Sequence, residues 1–343
     1  MQVNTLDRIH KGLVEKRNLL STWLKNTPKN KQRENLGNTN PVKVQERLEG
    51  VGEAIEKSEA GTLGLCTVCH DYIDTRLLEM DYTACICLDH FSDEEKRNLE
   101  YELELAQNIH RALLSHNAWD IPGIELAAYS RPAQILGGDY FDFLRFQDGS
   151  YALVIADVAG HGVSASLYMA SLQTALRMLI PICGSPVEVI KKIHHLYNHN
   201  VYFNTFVTLF LAAFDPTSQS LTYINAGHNP PLLICRSNQE VCSEDWLRPT
   251  GAAIGLVEEP DFDDVTIPLH PGDLLLLYTD GVTEAMNHKD SFGTERLADY
   301  ARQSLDLPAD GLVNSLWQHL VDYTQGNPLS DDTTIVAMKM AEL

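Results

Sequence analysis

Four times between residues 137 and 334 a carboxylate stands among small residues at the end of a short apolar run, and that recurrence limits what the chain can fold into. The segments are Gly137-Gly138-Asp139-Tyr140-Phe141-Asp142, Ile155-Ala156-Asp157-Val158-Ala159-Gly160-His161-Gly162, Leu277-Tyr278-Thr279-Asp280-Gly281-Val282-Thr283-Glu284 and Ser330-Asp331-Asp332-Thr333-Thr334. One Asp-Gly pair after a strand is ordinarily just a turn. Four such segments within about 200 residues describe hard oxygen donors delivered to one place by separate strands. Donors of that kind, brought together without thiolate or imidazole, favour Mg²⁺ or Mn²⁺ over zinc. Asp142 and Asp332 read as outer partners of the ligands or as surface carboxylates.

The surrounding pattern is that of an α+β domain. Short alternating or apolar runs at Ile124–Tyr129, Tyr151–Ala156, Thr208–Phe214, Leu221–Ala226, Leu232–Cys235, Leu274–Tyr278 and Thr334–Met338 predict strands, with Asp148-Gly149 and Asp215-Pro216 as turns between them. Helical spacing is predicted over 163–180, 186–202, 294–304 and 309–325. Upstream, Leu6, Ile9, Leu13, Leu20 and Leu24 mark one helix, and a second is expected from Pro41 or Val42 to Glu59, ended by Gly61. Ser92-Asp93-Glu94-Glu95 has the form of a capping box and opens a long helix. Its stripe Leu99, Leu103, Ala106, His110 and Leu113 steps alternately by four and three, a spacing that suits either a second copy of the helix or the helix's own domain.

Cys66-Thr-Val-Cys69 and Cys87-Leu-Asp-His90 lie on either side of a short excursion and offer four soft or borderline ligands, as tetrahedral zinc requires. Cys85 is then spare, although a set of Cys69, Cys85 and Cys87 is also conceivable. A site closed by four protein ligands is structural. Cys183, Cys235 and Cys242 show no motif. The sequence predicts a helical segment over 1–57, a finger over 58–91, a linker helix over 92–116 and the α+β domain over 117–343.

Charge and hydropathy remove other classes. Lys and Arg number 26 against 47 Asp and Glu, a formal charge of −21. Residues 1–60 hold 11 basic against 8 acidic side chains, a balance of +3, so −24 falls on the remainder. A nucleic-acid-coating surface is thereby disfavoured. No apolar run approaches the roughly 20 residues of a membrane span, and the first ten residues lack a signal-peptide core, so a cytoplasmic protein is expected.

Two resemblances follow from these motifs. Arg47-Leu48-Glu49, Ser58 through Cys66, and Thr83 through His90 resemble the zinc finger of the DksA/TraR family, with His90 where that family has a fourth cysteine. The acidic segments resemble the PPM family of metal-dependent protein phosphatases in its SpoIIE/RsbU-like branch. That likeness extends to Ala106-Gln107-Asn108-Ile109, Arg131-Pro132-Ala133 and Asn225-Ala226-Gly227-His228-Asn229-Pro230-Pro231. It implies a two-layer antiparallel β-sandwich flanked by helices and hydrolysis of phosphoserine or phosphothreonine by a water held between two Mn²⁺ or Mg²⁺ ions. It also implies that Asp157 bridges the ions, that the Val158 carbonyl completes one site, and that Asp139, Asp280 and Asp331 hold the other. The implied substrate is a phosphorylated anti-sigma-factor antagonist, and the implied assembly is a homodimer through the linker helix. His161 and His228 read first as residues that hold their turns. The competing reading is a non-catalytic phosphatase-like scaffold, or a DksA-like regulator that binds RNA polymerase.

Overall fold

The computed structural model describes residues 6, 9–14, 17–18, 21, 41–73, 78, 86–114, 121, 123–160, 162–200, 205–237, 240–257, 260–327 and 329–341. Cys85, His161 and much of the expected Leu6–Leu24 helix fall outside them. The chain divides into two compact units, residues 1–105 with 199–204, and residues 106–198 with 205–343.

In the N-terminal unit, α1 (Pro41–Glu59) ends where Gly61 turns at φ 68°. Val51, Ala54 and Ile55 of α1 pack with Leu13 and Leu63 in a small core, beside a second one of Cys66, Ile73 and Leu78. The long helix α2 (Asp93–Leu113) begins in this unit and ends in the other. Its cap is reciprocal: the Ser92 backbone N–H donates to Glu95 Oε2 at 2.8 Å, and the Glu95 N–H donates to Ser92 Oγ at 3.3 Å. Of the predicted stripe, His110 is buried and Leu99, Leu103, Ala106 and Leu113 are half-buried. Tyr101, Leu105 and Ile109 remain exposed on another side of the helix.

The C-terminal unit holds two five-stranded antiparallel sheets. The strands are β1 (Ile124–Arg131), β2 (Tyr140–Arg145), β3 (Tyr151–Val158), β4 (Val207–Asp215), β5 (Ser220–Ala226), β6 (Leu232–Ser237), β7 (Glu240–Trp246), β8 (Val265–Pro268), β9 (Leu274–Tyr278) and β10 (Thr333–Met340). One sheet runs β1-β10-β9-β6-β7 and the other β2-β3-β4-β5-β8. Strands buried on both faces carry continuous apolar runs, as in Leu274–Tyr278, where every residue is buried.

Helices α3 (Gly162–Leu179) and α4 (Pro186–Asn200) follow β3, the single-turn α5 (Asp280–Thr283) follows β9, and α6 (Gly293–Gln303) and α7 (Ala309–Thr324) precede β10. In α7 the buried Leu312, Val313, Leu316 and Leu320 recur at helical spacing and join β6, β9, β10 and α6 in one core. This is the expected α+β sandwich with flanking helices.

Three strands were not expected. Strand β2 escapes the alternation rule because Asp142 is buried within it, where Arg177 Nε donates to its Oδ2 at 2.8 Å, Tyr140 Oη donates to the same oxygen and the Phe143 N–H donates to Oδ1 at 2.9 Å. The polar β7 and the four-residue β8 lie at sheet edges, where side-chain pattern is weak.

Leu276 is fully buried at the centre of β9. Leu276→Ala is expected to cost about 2–5 kcal/mol in chemical denaturation of the full chain; a loss below about 1 kcal/mol would contradict this packing.

Candidate metal centre

Strand pairing brings the acidic segments together. Tyr140 pairs with Ala156, so Asp139 stands beside Asp157 at one end of the β2–β3 hairpin. Tyr278 pairs with Ile335, and the Thr279 N–H donates to the Thr334 carbonyl at 3.1 Å, which sets Asp280 alongside Asp331 and Asp332 in the other sheet. Glycine is required where these backbones meet. A Cβ on Gly281 would lie 2.0 Å from the Asp332 carbonyl oxygen, and one on Gly138 would lie 2.9 Å from the Val158 carbonyl oxygen.

Electrostatics record the convergence. Burial, then the charges of Asp280, Asp331, Asp332 and Glu284, pushes the Asp157 carboxyl up to about 7. Burial and the neighbouring Asp331, Glu284 and Asp332 raise Asp280 to about 6 against one opposing backbone N–H. Asp139 is pushed well above the carboxylate range by burial, Asp157 and Asp332, although its Oδ2 accepts hydroxyl donors from Thr279 at 2.8 Å and Thr334 at 2.7 Å. Its Oδ1 is buried with no hydrogen-bond partner. A divalent cation fits this donor set: it would satisfy the orphaned oxygen and offset the mutual repulsion of the carboxylates.

Asp332 is not a surface group. It is buried, with Oδ1 accepting the Ala133 N–H at 2.8 Å and Oδ2 the Gly138 N–H at 2.6 Å. It therefore fastens the loop before Asp139 to the start of β10. Asp142 is likewise buried, within β2.

His228 is buried in the Gly-His-Asn-Pro-Pro turn, its Nδ1 2.9 Å from Thr208 Oγ1 and its N–H donating to Asn225 Oδ1 at 2.7 Å. Burial depresses it to about 4, so it is neutral near pH 7. Arg131 lies over the Trp317 ring, 5.5 Å from the centroid. His194 is buried against Phe262.

Sequence reasoning missed two groups that shape the centre, the hydroxyls of Thr279 and Thr334. Their signal is their place, directly before Asp280 and shortly after Asp331.

In the N-terminal unit, Cys66, Cys69, Cys87 and His90 place their ligand atoms within 4.8 Å of one another. The Cys69 and Cys87 sulphurs are 3.6 Å apart, close to the roughly 3.8 Å edge of a tetrahedron with about 2.3 Å zinc–sulphur bonds. Burial opposes ionisation of Cys66, but the backbone N–H groups of Cys69, Cys87 and Val68 outweigh it and pull the thiol down to about 6. Cys87 is pushed up to about 11 by burial and its sulphur neighbours. Zinc suits such a set, since it stabilises adjacent thiolates.

Two antiparallel sheets with carboxylates gathered between strands of both have the architecture of a PP2C-type phosphatase domain. The solved SiaA-PP2C domain of Pseudomonas aeruginosa shares the fold, with a TM-score of 0.62 and 24% identity over 71% of this chain and 98% of that one. The profile of the family described as Stage II sporulation protein E (SpoIIE) matches residues 147–341, and the chain belongs to that family. Phosphoserine phosphatase RsbU of Bacillus subtilis (strain 168) is 26% identical over 244 residues, 71% of each chain. The solved RsbU and RsbW domains of Rv1364c from Mycobacterium tuberculosis are 32% identical with a TM-score of 0.56, covering 64% of this chain and 61% of that one. Phosphoserine phosphatase RsbP of B. subtilis is 27% identical, and the match spans only 58% of its length.

A pH dependence follows from the clustered carboxyls. Without metal, the folded state keeps protons on Asp157 up to about 7 and on Asp280 up to about 6, whereas unfolded aspartates release theirs near about 4. The folded form binds more protons across that window, so these groups lose stabilising effect as pH rises from about 4 to about 7. In chelator, the thermal midpoint of wild type relative to Asp157→Asn should fall between about pH 4 and about pH 7, and Mn²⁺ should reduce that fall. A relative midpoint that rises over the interval would contradict the clustering.

Proposed function

We propose that the C-terminal unit dephosphorylates phosphoserine or phosphothreonine in a signalling regulator of the anti-sigma-factor antagonist type, using two Mn²⁺ or Mg²⁺ ions. The observation that carries this reading is the mutual approach of Asp139, Asp157, Asp280 and Asp331, with one Asp139 oxygen buried and unpartnered. Asp157 would bridge the two ions, the Val158 carbonyl would complete one site, and Asp139, Asp280 and Asp331 would hold the other. Ions bound there would supply charge neutralisation for the phosphoryl group and an activated water. The chain's own part is positioning. Thr279 and Thr334 orient Asp139, Asp332 ties its loop to β10, and His228 stays uncharged beside Thr208. The names of RsbU and RsbP, both phosphoserine phosphatases, support the substrate class.

Cys66, Cys69, Cys87 and His90 would hold one structural zinc in a regulatory finger. A homodimer through α2 completes the reading, and the exposed Tyr101, Leu105 and Ile109 offer it an apolar stripe at four-residue spacing. No helix among the described residues is long and apolar enough to cross a membrane, and we place the protein in the cytoplasm.

With Mn²⁺, wild type should hydrolyse an aryl phosphate, and Asp157→Asn should lose at least about 100-fold in kcat. Equal rates in the two would overturn the assignment, and co-purification with RNA polymerase without phosphate release would favour a transcription regulator. Elemental analysis should find about one zinc per chain, lost in Cys69→Ser. Full retention of zinc in that variant would remove the finger from the reading.

A further inference from the structure

The loop that carries Asp139 is held from three directions, and two have been described. Asp332 binds it from the start of β10, and the Val158 carbonyl faces Gly138 at a distance that leaves no room for a side chain. The third grip comes from α2. His110 is buried, 6% exposed, and its Nε2 lies 3.0 Å from the Gly137 carbonyl oxygen and 3.3 Å from the Gly137 nitrogen. One ring nitrogen thus reaches both polar groups of a single glycine.

The chemistry of imidazole makes this grip insensitive to tautomer. With its proton on Nδ1, the ring accepts the Gly137 N–H; with its proton on Nε2, it donates to the Gly137 carbonyl. Gly137 also admits the Asp332 carboxylate from another side, since a Cβ there would sit 2.5 Å from Asp332 Oδ2. The segment Gly137-Gly138 is therefore clamped between a helix side chain and a strand-end carboxylate, one and two residues before a ligand whose free oxygen needs a fixed direction. Buried polar groups left without a partner are costly, so removing the imidazole would release the segment rather than leave it in place.

We propose that His110 is a positioning residue for the metal centre: through Gly137 it fixes the direction of Asp139, so that α2 contributes to metal affinity without touching the metal. Residues that orient ligands from behind in this way typically govern metal affinity by about 10–100-fold. Glutamine at this position retains both a donor and an acceptor at the end of a side chain of similar reach. Leucine fills the space and retains neither.

The inference rests on the metal-dependent reading above, and calorimetric Mn²⁺ binding separates the two. Full-length wild type, His110→Leu and His110→Gln are titrated with Mn²⁺ alone, and their thermal midpoints are compared with and without the metal. His110→Leu is expected to bind Mn²⁺ at least about tenfold more weakly and to lose most of the Mn²⁺-induced rise in midpoint, while His110→Gln stays within about threefold of wild type. A merely structural role would lower the metal-free midpoint of His110→Leu and leave its Mn²⁺ affinity within about twofold of wild type; that result overturns the proposal. So does a Gln variant as weak as the Leu variant. If His110→Leu does not fold, His110→Ala takes its place on the same scale: a loss of at least about tenfold in Mn²⁺ affinity supports the proposal, and affinity within about twofold of wild type overturns it. Wild type that binds Mn²⁺ but releases no phosphate defeats the phosphatase reading alone, and the affinities still judge His110. Wild type that binds no Mn²⁺ defeats both.

Discussion

Like charges brought together in a partly buried cluster are the constraint around which the C-terminal unit is built. Asp139, Asp157, Asp280 and Asp331 repel one another, and burial adds to the cost of ionising three of them. No single strand could hold that arrangement. Two sheets do, because each anchors its aspartates at strand ends whose register is fixed by long apolar runs on both faces. Backbone N–H groups on Asp332 and threonine hydroxyls on Asp139 then aim the oxygens. The fold stores an unfavourable arrangement that a bound divalent cation would relieve, and such a ligand would therefore stabilise it.

Much of this was legible in the sequence. Strands such as β3 and β9 were readable because burial on both faces demands continuous apolar residues, and the aspartates because Asp139 and Asp280 adjoin glycine, Asp157 closes an apolar run shortly before Gly160, and Asp331 stands just ahead of the last run. What could not be read depends on partners distant in the chain. Asp142 in β2 breaks the alternation and is tolerated because Arg177 reaches it from α3. Asp331 and Asp332 are adjacent and chemically identical. Only the register of β10 with β9 and the approach of the Gly138 loop separate a ligand candidate from a backbone clamp. His110 appeared as one step of an amphipathic stripe, and its partner lies twenty-seven residues away.

The N-terminal unit repeats the logic with softer atoms. Three thiols and an imidazole are drawn together by a short excursion, backbone N–H groups favour the Cys66 thiolate, and that anion raises Cys87. A cation would resolve the conflict there as well. Hard oxygens in one unit and sulphurs in the other give the two donor sets distinct metal preferences, so each would select its own ion.

Strand β10 has a further consequence. It comes last among the described strands yet lies between β1 and β9 in its sheet, and it brings Asp331 and Asp332 with it. Its pairing with β1 joins residues some two hundred positions apart. During synthesis, β1 must wait for that partner, and the Asp139 loop must wait for its carboxylate clamp. The centre is thus assembled by the slowest class of contacts, those of highest sequence separation. A nascent chain that has already paired β2 with β3, and so placed Asp139 beside Asp157, still lacks Asp331 and the Asp332 clamp until the closing strand is in place.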